Sequence, residues 1–277
     1  RIKHSPMRPA WINAVLFALL ALALPVCARQ AGLLVPAYFY PAWDDRRANC
    51  WDKLIAAAPR VPLVAILNPA SGPGKRRIPD YARAVDSLHT AGGRAIGYVH
   101  TSYAQRPLQE VLGEVDAYYE RYALDGIFFD ETTGDTAAAH LAYYRACGDH
   151  VRQRAPGALV VLNPGTDADQ AYLESASCLL LFENDQANAS LLAWQAPAWV
   201  PAAPDTQVAV LAYHLADEAA MQAVLERALQ AGVGWIYLTD DTLPNPWDTL
   251  PAFWEAQVQA LVRFNQLPGE QTLTPER

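Results

Sequence analysis

Three carboxylates stand directly after apolar runs in this sequence: Asp130 and Glu131 after Ile127-Phe128-Phe129, and Glu183 after Leu179 to Phe182. A carboxyl group at the edge of a hydrophobic segment is partly desolvated unless it finds a partner, and desolvation raises its pKa toward the working range of a general acid. Two such groups facing each other across several ångströms can share a hydrolysis. One protonates a leaving oxygen and the other assists at the carbon under attack, the chemistry of glycoside hydrolysis. Successive side chains of a regular strand point to opposite faces, so Asp130 and Glu131 are expected to differ in role. Glu131 reads as the acid/base, Asp130 as its partner or the nucleophile, and Glu183 as the opposing group. A structural ion pair of these acids with Arg94 or Arg106 is the competing reading.

These acids belong to a wider pattern. Apolar runs recur eight times: Leu33 to Ala37, Leu63 to Leu67, Ala95 to Val99, Ile127 to Phe129, Leu159 to Leu162, Leu179 to Phe182, Val208 to Tyr213 and Trp235 to Leu238. Polar or aromatic residues follow each of them, and these supply the candidate substrate contacts Tyr38, Tyr40, Asn68, His100, Tyr103, Asn163, His214, Asp240 and Trp247. Tyr and Trp rings offer apolar faces to sugar C–H groups, while Asn and His offer partners to hydroxyls. Asn68, Asn163 and Asp241 also suit plain turn or capping roles. His100 and His214 with Asp130 allow a metal-ligand reading. No His-x-His pair and no Cys/His spacing accompanies them, so neither a metal nor another cofactor is expected.

The runs are continuous and not alternating, as strands buried on both faces of a helix-covered parallel sheet require. Between them lie helical patterns: Arg47 to Ala58, Asp80 to Ala91, Leu108 to Tyr122, Thr136 to Arg154, Ala168 to Ser175, Ala189 to Trp194, Asp217 to Ala231 and Pro251 to Phe264. Gly92-Gly93 and Gly232 sit at helix ends, and Asp217 at a helix start. Eight such units predict a single (β/α)8 barrel, a TIM barrel, over residues 29–277, with its chemistry at the carboxyl-terminal strand ends. A doubly wound open sheet would carry a Gly-rich phosphate turn after its first strand, where this chain reads Val35-Pro36-Ala37-Tyr38. Ser71-Gly72-Pro73-Gly74-Lys75 imitates a phosphate loop but has Pro69 for its first glycine and Arg76 for its Ser/Thr.

Residues 1–28 predict a cleavable signal peptide. Met7 and Arg8 precede the apolar stretch Ala14 to Leu24, too short to span a bilayer, and Val26-Cys27-Ala28 offers a cleavage site. The expected product is secreted or periplasmic, without stable membrane insertion. Lipid attachment at Cys27 is the alternative. Cleavage takes the net charge from −8 to −11, because Arg1, Lys3 and Arg8 leave and no acid does. That acidity argues against nucleic acid. Cys50, Cys147 and Cys178 remain, too few for a disulfide scaffold, with Cys178 reading as a buried thiol. His89, His140 and His150 fall on helices and are expected to be solvated.

Several blocks resemble a known family: Leu33-Leu34-Val35-Pro36-Ala37-Tyr38-Phe39-Tyr40-Pro41, Ile66-Leu67-Asn68-Pro69-Ala70-Ser71-Gly72-Pro73-Gly74, Gly97-Tyr98-Val99-His100-Thr101, Leu124 to Glu131, Leu162-Asn163-Pro164-Gly165-Thr166, Phe182-Glu183-Asn184, and Thr239-Asp240-Asp241 with Asn245 to Pro251. Together they are similar to the spherulation-specific family 4, the spherulin 4 family, over Gly32 to about Trp254. That family resembles glycoside hydrolase family 135, barrels that cut galactosaminogalactan within its N-acetylgalactosamine stretches. The resemblance implies an endo-acting N-acetylgalactosaminidase-like hydrolase of an exopolysaccharide, and maps the family's acidic trio onto Asp130, Glu131 and Glu183. A polysaccharide-binding or structural envelope protein on the same barrel is the alternative.

Overall fold

The computed structural model describes residues 30–45, 49–187 and 190–267. The segment read as a signal peptide, with Cys27, lies outside the described residues. Eight parallel strands close into one barrel in sequence order: β1 Gly32–Ala37, β2 Leu63–Leu67, β3 Arg94–His100, β4 Gly126–Asp130, β5 Leu159–Leu162, β6 Cys178–Asp185, β7 Val208–Tyr213 and β8 Trp235–Leu238. Closure runs through β1 and β8, with Gly32 opposite Trp235 and Leu33 opposite Ile236. Every residue of β1, β2 and β8 is buried, because barrel packing covers one face of each strand and helices cover the other. A (β/α)8 barrel is therefore the fold, and the open-sheet alternative is excluded.

Among the described residues six α-helices surround it: α1 Cys50–Ala57, α2 Pro79–Thr90, α3 Leu108–Arg121, α4 Ala138–Arg154, α5 Glu218–Gln230 and α6 Trp254–Gln266. In α5 the side chain of Asp217 accepts from Ala220 N, which satisfies one of the free amides of the first turn. Met221, Val224, Leu225, Ala228 and Leu229 then recur at helical spacing and are buried, and Gly232 at φ +90° takes the left-handed turn after the end. Leu225→Ala would cost about 2–5 kcal/mol. None of the described helices is long and apolar enough to cross a membrane.

Two expected helices are absent. Ala168 to Ser175 contains only the 3-10 turn Gln170–Glu174, and the described part of Ala189 to Trp194 only Leu191–Ala193. Each turn is closed by a local side chain, Asp169 accepting from Ala171 N and Ser190 from Leu192 N, and Pro197, Pro201 and Pro204 prevent extension of the second. The first helical segment also begins later than expected, at Cys50, where Asn49 caps it through Trp51 N. Gly97 is needed for docking: a Cβ there would lie 2.8 Å from the Tyr118 ring, whose hydroxyl donates to Leu67 O at 2.9 Å and ties α3 to the barrel.

One irregularity bears on the site. Leu180 pairs with Ala209 and Phe182 with Val210, so Leu181 is an extra residue, a bulge in β6. Glu183 pairs with Leu211, two residues beyond Ala209. The bulge thus places Glu183 on the face of the sheet that carries Leu180, three residues earlier, when regular alternation would have put it on the other.

Candidate active site

Asp130 is the last residue of β4 and lies opposite His100 at the end of β3. Two side chains grip it. Tyr98, two residues back on β3, donates its hydroxyl to Oδ2 at 2.9 Å, and Asn163, just past β5, donates Nδ2 to Oδ1 at 2.7 Å. The same Asn163 Nδ2 donates to Glu183 Oε2 at 2.6 Å. Asn163 is only 5% exposed, and its position follows from the ladder: its N–H bonds Phe129 O and its carbonyl accepts from Thr132 N. Three consecutive strands thereby bring Asp130, Asn163 and Glu183 together at one mouth.

The two carboxyl groups differ in acidity. Burial, reinforced by the charge of Asp130, pushes Glu183 up to about 7, against the pull of hydrogen bonds from Asn163 and Trp247. Asp130 is raised by burial too, but the hydrogen bonds from Tyr98, the Glu131 backbone and Asn163 oppose that rise, while the charge of Glu131 adds to it. Near neutrality Glu183 therefore has a proton readily given up, beside a second carboxyl group whose rise is opposed by its hydrogen bonds, the equipment for acid/base work at a single bond. Among the described residues no Arg, Lys or His makes an ion pair with the trio. Arg106 pairs with Glu114 at 2.7 Å and Arg94 lies over the Trp235 ring, so the structural ion-pair reading is corrected.

Glu131 departs from the expected alternation because the strand does not continue through it. Its φ is +51°, in the left-handed region, which costs a non-glycine residue on the order of 1 kcal/mol. Facing it, Ser102, Tyr103 and Ala104 make a complete left-handed turn with φ values of 47°, 55° and 63°. Tyr103 N donates to Glu131 O at 2.6 Å and joins the two strained segments. Beneath them the buried Thr101 hydroxyl donates to Asp130 O at 3.0 Å and Glu131 O at 2.8 Å, and lies 2.9 Å from the Tyr144 hydroxyl.

Other candidates divide into those that reach the acids and those used elsewhere. Tyr38 packs edge-on against Tyr98 at 5.6 Å, and burial, followed by the charge of Asp130, raises its phenol well above the usual range. Trp247 is buried at 7% exposure, between Tyr213 and Tyr237, and its side chain donates to Glu183, so it orients an acid where a stacking face was expected. His100 has Nδ1 3.3 Å from the Arg106 guanidinium, a cation that does not suit a metal ligand. His214, at φ +63°, pairs with Asp185 at 3.0 Å. Asn68 accepts from Gly72 N, Asp240 accepts from Ala252 N, and Tyr40 donates to Asp80 at the start of α2, so these three are occupied in turns or caps. Tyr98 and Tyr213 were not expected at the site. Tyr98 carries the readable signal, a polar-tipped aromatic two residues before a strand end.

The remaining expectations resolve away from the mouth. Cys50, Cys147 and Cys178 are free thiols, and burial raises Cys147 to about 12. His89, His140 and His150, expected to be solvated, each hold a carboxylate, from Asp125, Asp135 and Asp116 respectively.

A closed (β/α)8 barrel with unequal carboxyl groups at its carboxyl-terminal mouth is the architecture of many barrels that act on sugars. This chain belongs to the spherulation-specific family 4, whose model matches residues 32–261. It is 32% identical to Spherulin-4 of Physarum polycephalum over 247 residues, covering 84% of this chain and 70% of that protein. The crystal structure of Aspergillus clavatus Sph3 in complex with GalNAc superposes with a TM-score of 0.72 at 26% identity, over 84% of this chain and 98% of that one. The alpha-amylase of Geobacillus thermoleovorans, at 9% identity and a TM-score of 0.54 over 87% of this chain and 79% of that one, shares the fold alone.

Proposed function

We propose that this protein is an exported, endo-acting glycoside hydrolase that cleaves an N-acetylgalactosamine-containing exopolysaccharide of the galactosaminogalactan type. The broader reading, a carbohydrate-active protein, is supported by its family and by the likeness to Sph3, a protein solved with GalNAc bound. The observation that carries the finer reading is the Asn163 amide held by Asp130 and Glu183 together. Glu183, raised to about 7, is the proton donor to the leaving oxygen, and Asp130, steadied by Tyr98, is the nucleophile. This moves the acid/base role from Glu131 to Glu183. The bonded oxygens of the two acids lie no farther apart than their two hydrogen bonds end to end. That favours retention, for which roughly 5–5.5 Å is usual, over inversion, which needs roughly 6.5–9.5 Å for a water. Export rests on the leader-like segment 1–28.

The test is reducing-end release from purified galactosaminogalactan and a panel of amino-sugar polymers, with the products sized. Internal cleavage of an N-acetylgalactosamine polymer, lost in Glu183→Gln and Asp130→Asn, is expected. Absence of release from every polymer, or undiminished release by both variants, overturns the proposal; saturable binding without cleavage would instead identify a polysaccharide-binding barrel. Export is checked by sequencing the amino terminus of secreted protein, expected to begin at Arg29.

A further inference from the structure

The structure assigns Tyr103 as the stacking platform for a sugar ring neighbouring the one at the cleaved bond, a subsite held in register with Glu131 through the backbone. The assignment rests on the glycosidase reading above. Tyr103 and Tyr40 are the two exposed large aromatics among the described residues, both at 54%. They differ in what holds them. Tyr40 has its hydroxyl on Asp80 and its ring against Tyr81 at 5.5 Å. The ring of Tyr103 has no ring or hydrogen-bond partner among the described residues, while its backbone N–H is held by Glu131 O and its turn is closed by bonds on either side.

That combination is what a preorganised contact needs, a free face on an immobile base. Gln105 N bonds Ser102 O and Arg106 N bonds Thr101 O, closing the left-handed turn. Arg106 in turn clamps its root through His100 O at 2.7 Å and Glu114 at 2.7 Å. The bond from Tyr103 N to Glu131 O makes the platform and the carboxylate parts of one strained unit. A large apolar ring exposed on such a turn is unfavourable in the free protein, and strain of this kind persists where it serves a site. A pyranose presents an apolar C–H face of matching size, so the occupant is a sugar ring of the polymer outside the carboxylate pair.

Binding to the Glu183→Gln protein, in which turnover is blocked, tests the subsite. The probes are N-acetylgalactosamine and its oligomers of increasing length, measured by calorimetry. Adding Tyr103→Ala should weaken the longer oligomers about five- to tenfold and leave the monosaccharide unchanged, and Tyr103→Trp should restore the loss. Equal affinity for long oligomers in the presence and absence of the ring, or an equal loss for the monosaccharide, overturns the assignment and leaves the hydrolase reading intact. If the Glu183→Gln parent binds no oligomer of any length, both readings fall.

Discussion

Asp130 and Glu183 are joined through one nitrogen: Asn163 Nδ2 donates to Asp130 Oδ1 at 2.7 Å and to Glu183 Oε2 at 2.6 Å. Each carboxyl group is raised by burial and restrained by that shared amide. Asn163→Ala removes the restraint on both. Both acids should move further up, so the pH–rate profile should shift to higher pH, with kcat down about a hundredfold, as when a buried donor at a charged group is lost. An unshifted profile would sink this account of the amide.

Stability should depend on pH through Glu183. A carboxyl raised from 4.5 to about 7 binds its proton more tightly in the folded protein than in the unfolded chain. Its contribution therefore declines as pH rises from about 4.5 to 7, by on the order of 3 kcal/mol, and Asp130 acts in the same direction. Glu183→Gln removes the ionisable group, so the variant should be inactive yet more stable than the parent at pH 8 and nearly matched at pH 4. Denaturant titrations at the two pH values measure this. A variant less stable at pH 8 contradicts it.

Trp247 also restrains Glu183. Trp247→Phe keeps an aromatic ring between Tyr213 and Tyr237 but removes the donor. Glu183 should rise above 7, shifting the pH–rate profile up while oligosaccharide affinity changes little. A large loss of affinity with an unchanged profile would make Trp247 a sugar contact instead.

Thr101 tests the left-handed unit. Thr101→Val is nearly isosteric but leaves the carbonyls of Asp130 and Glu131 without their hydroxyl donor. A stability loss of about 1–3 kcal/mol is expected. The informative readout is kinetic: kcat should fall more than KM rises, since the hydroxyl holds the acid-bearing segment directly and the Tyr103 platform only through Glu131 O. Loss of stability with unchanged kcat would reduce Thr101 to a packing residue.

The eight strands were legible because burial on both faces leaves continuous apolar runs, and the acids were legible because each ends such a run. The two missing helices were misread because Ala168 to Ser175 and Ala189 to Trp194 have helical composition, while the side chains of Asp169 and Ser190 close short local turns there. Glu131 at positive φ and the extra residue in β6 leave no local trace, since each is defined by how one strand pairs with the next. Trp247 looked like a platform because its exposure depends on Tyr213 and Tyr237, which arrive from other strands. Asn163 was visible as a polar strand end, but its two acceptors come from strands on either side.

The bulge at Leu181 means that the position of Glu183 depends on how β6 pairs with β7 as well as on residue identity. Loss of the Leu181 codon would leave Glu183 two residues after Leu180, on the same face and still opposite Leu211. Pairing of the full-length strand without the bulge, Leu181 opposite Val210, would instead turn Glu183 toward the surrounding helices. The barrel would still close, and every residue of the trio would still be encoded, but the acids would be separated in space. Relatives that retain the three acids are therefore to be sorted by the register of β6 against β7 before any shared chemistry is inferred for them.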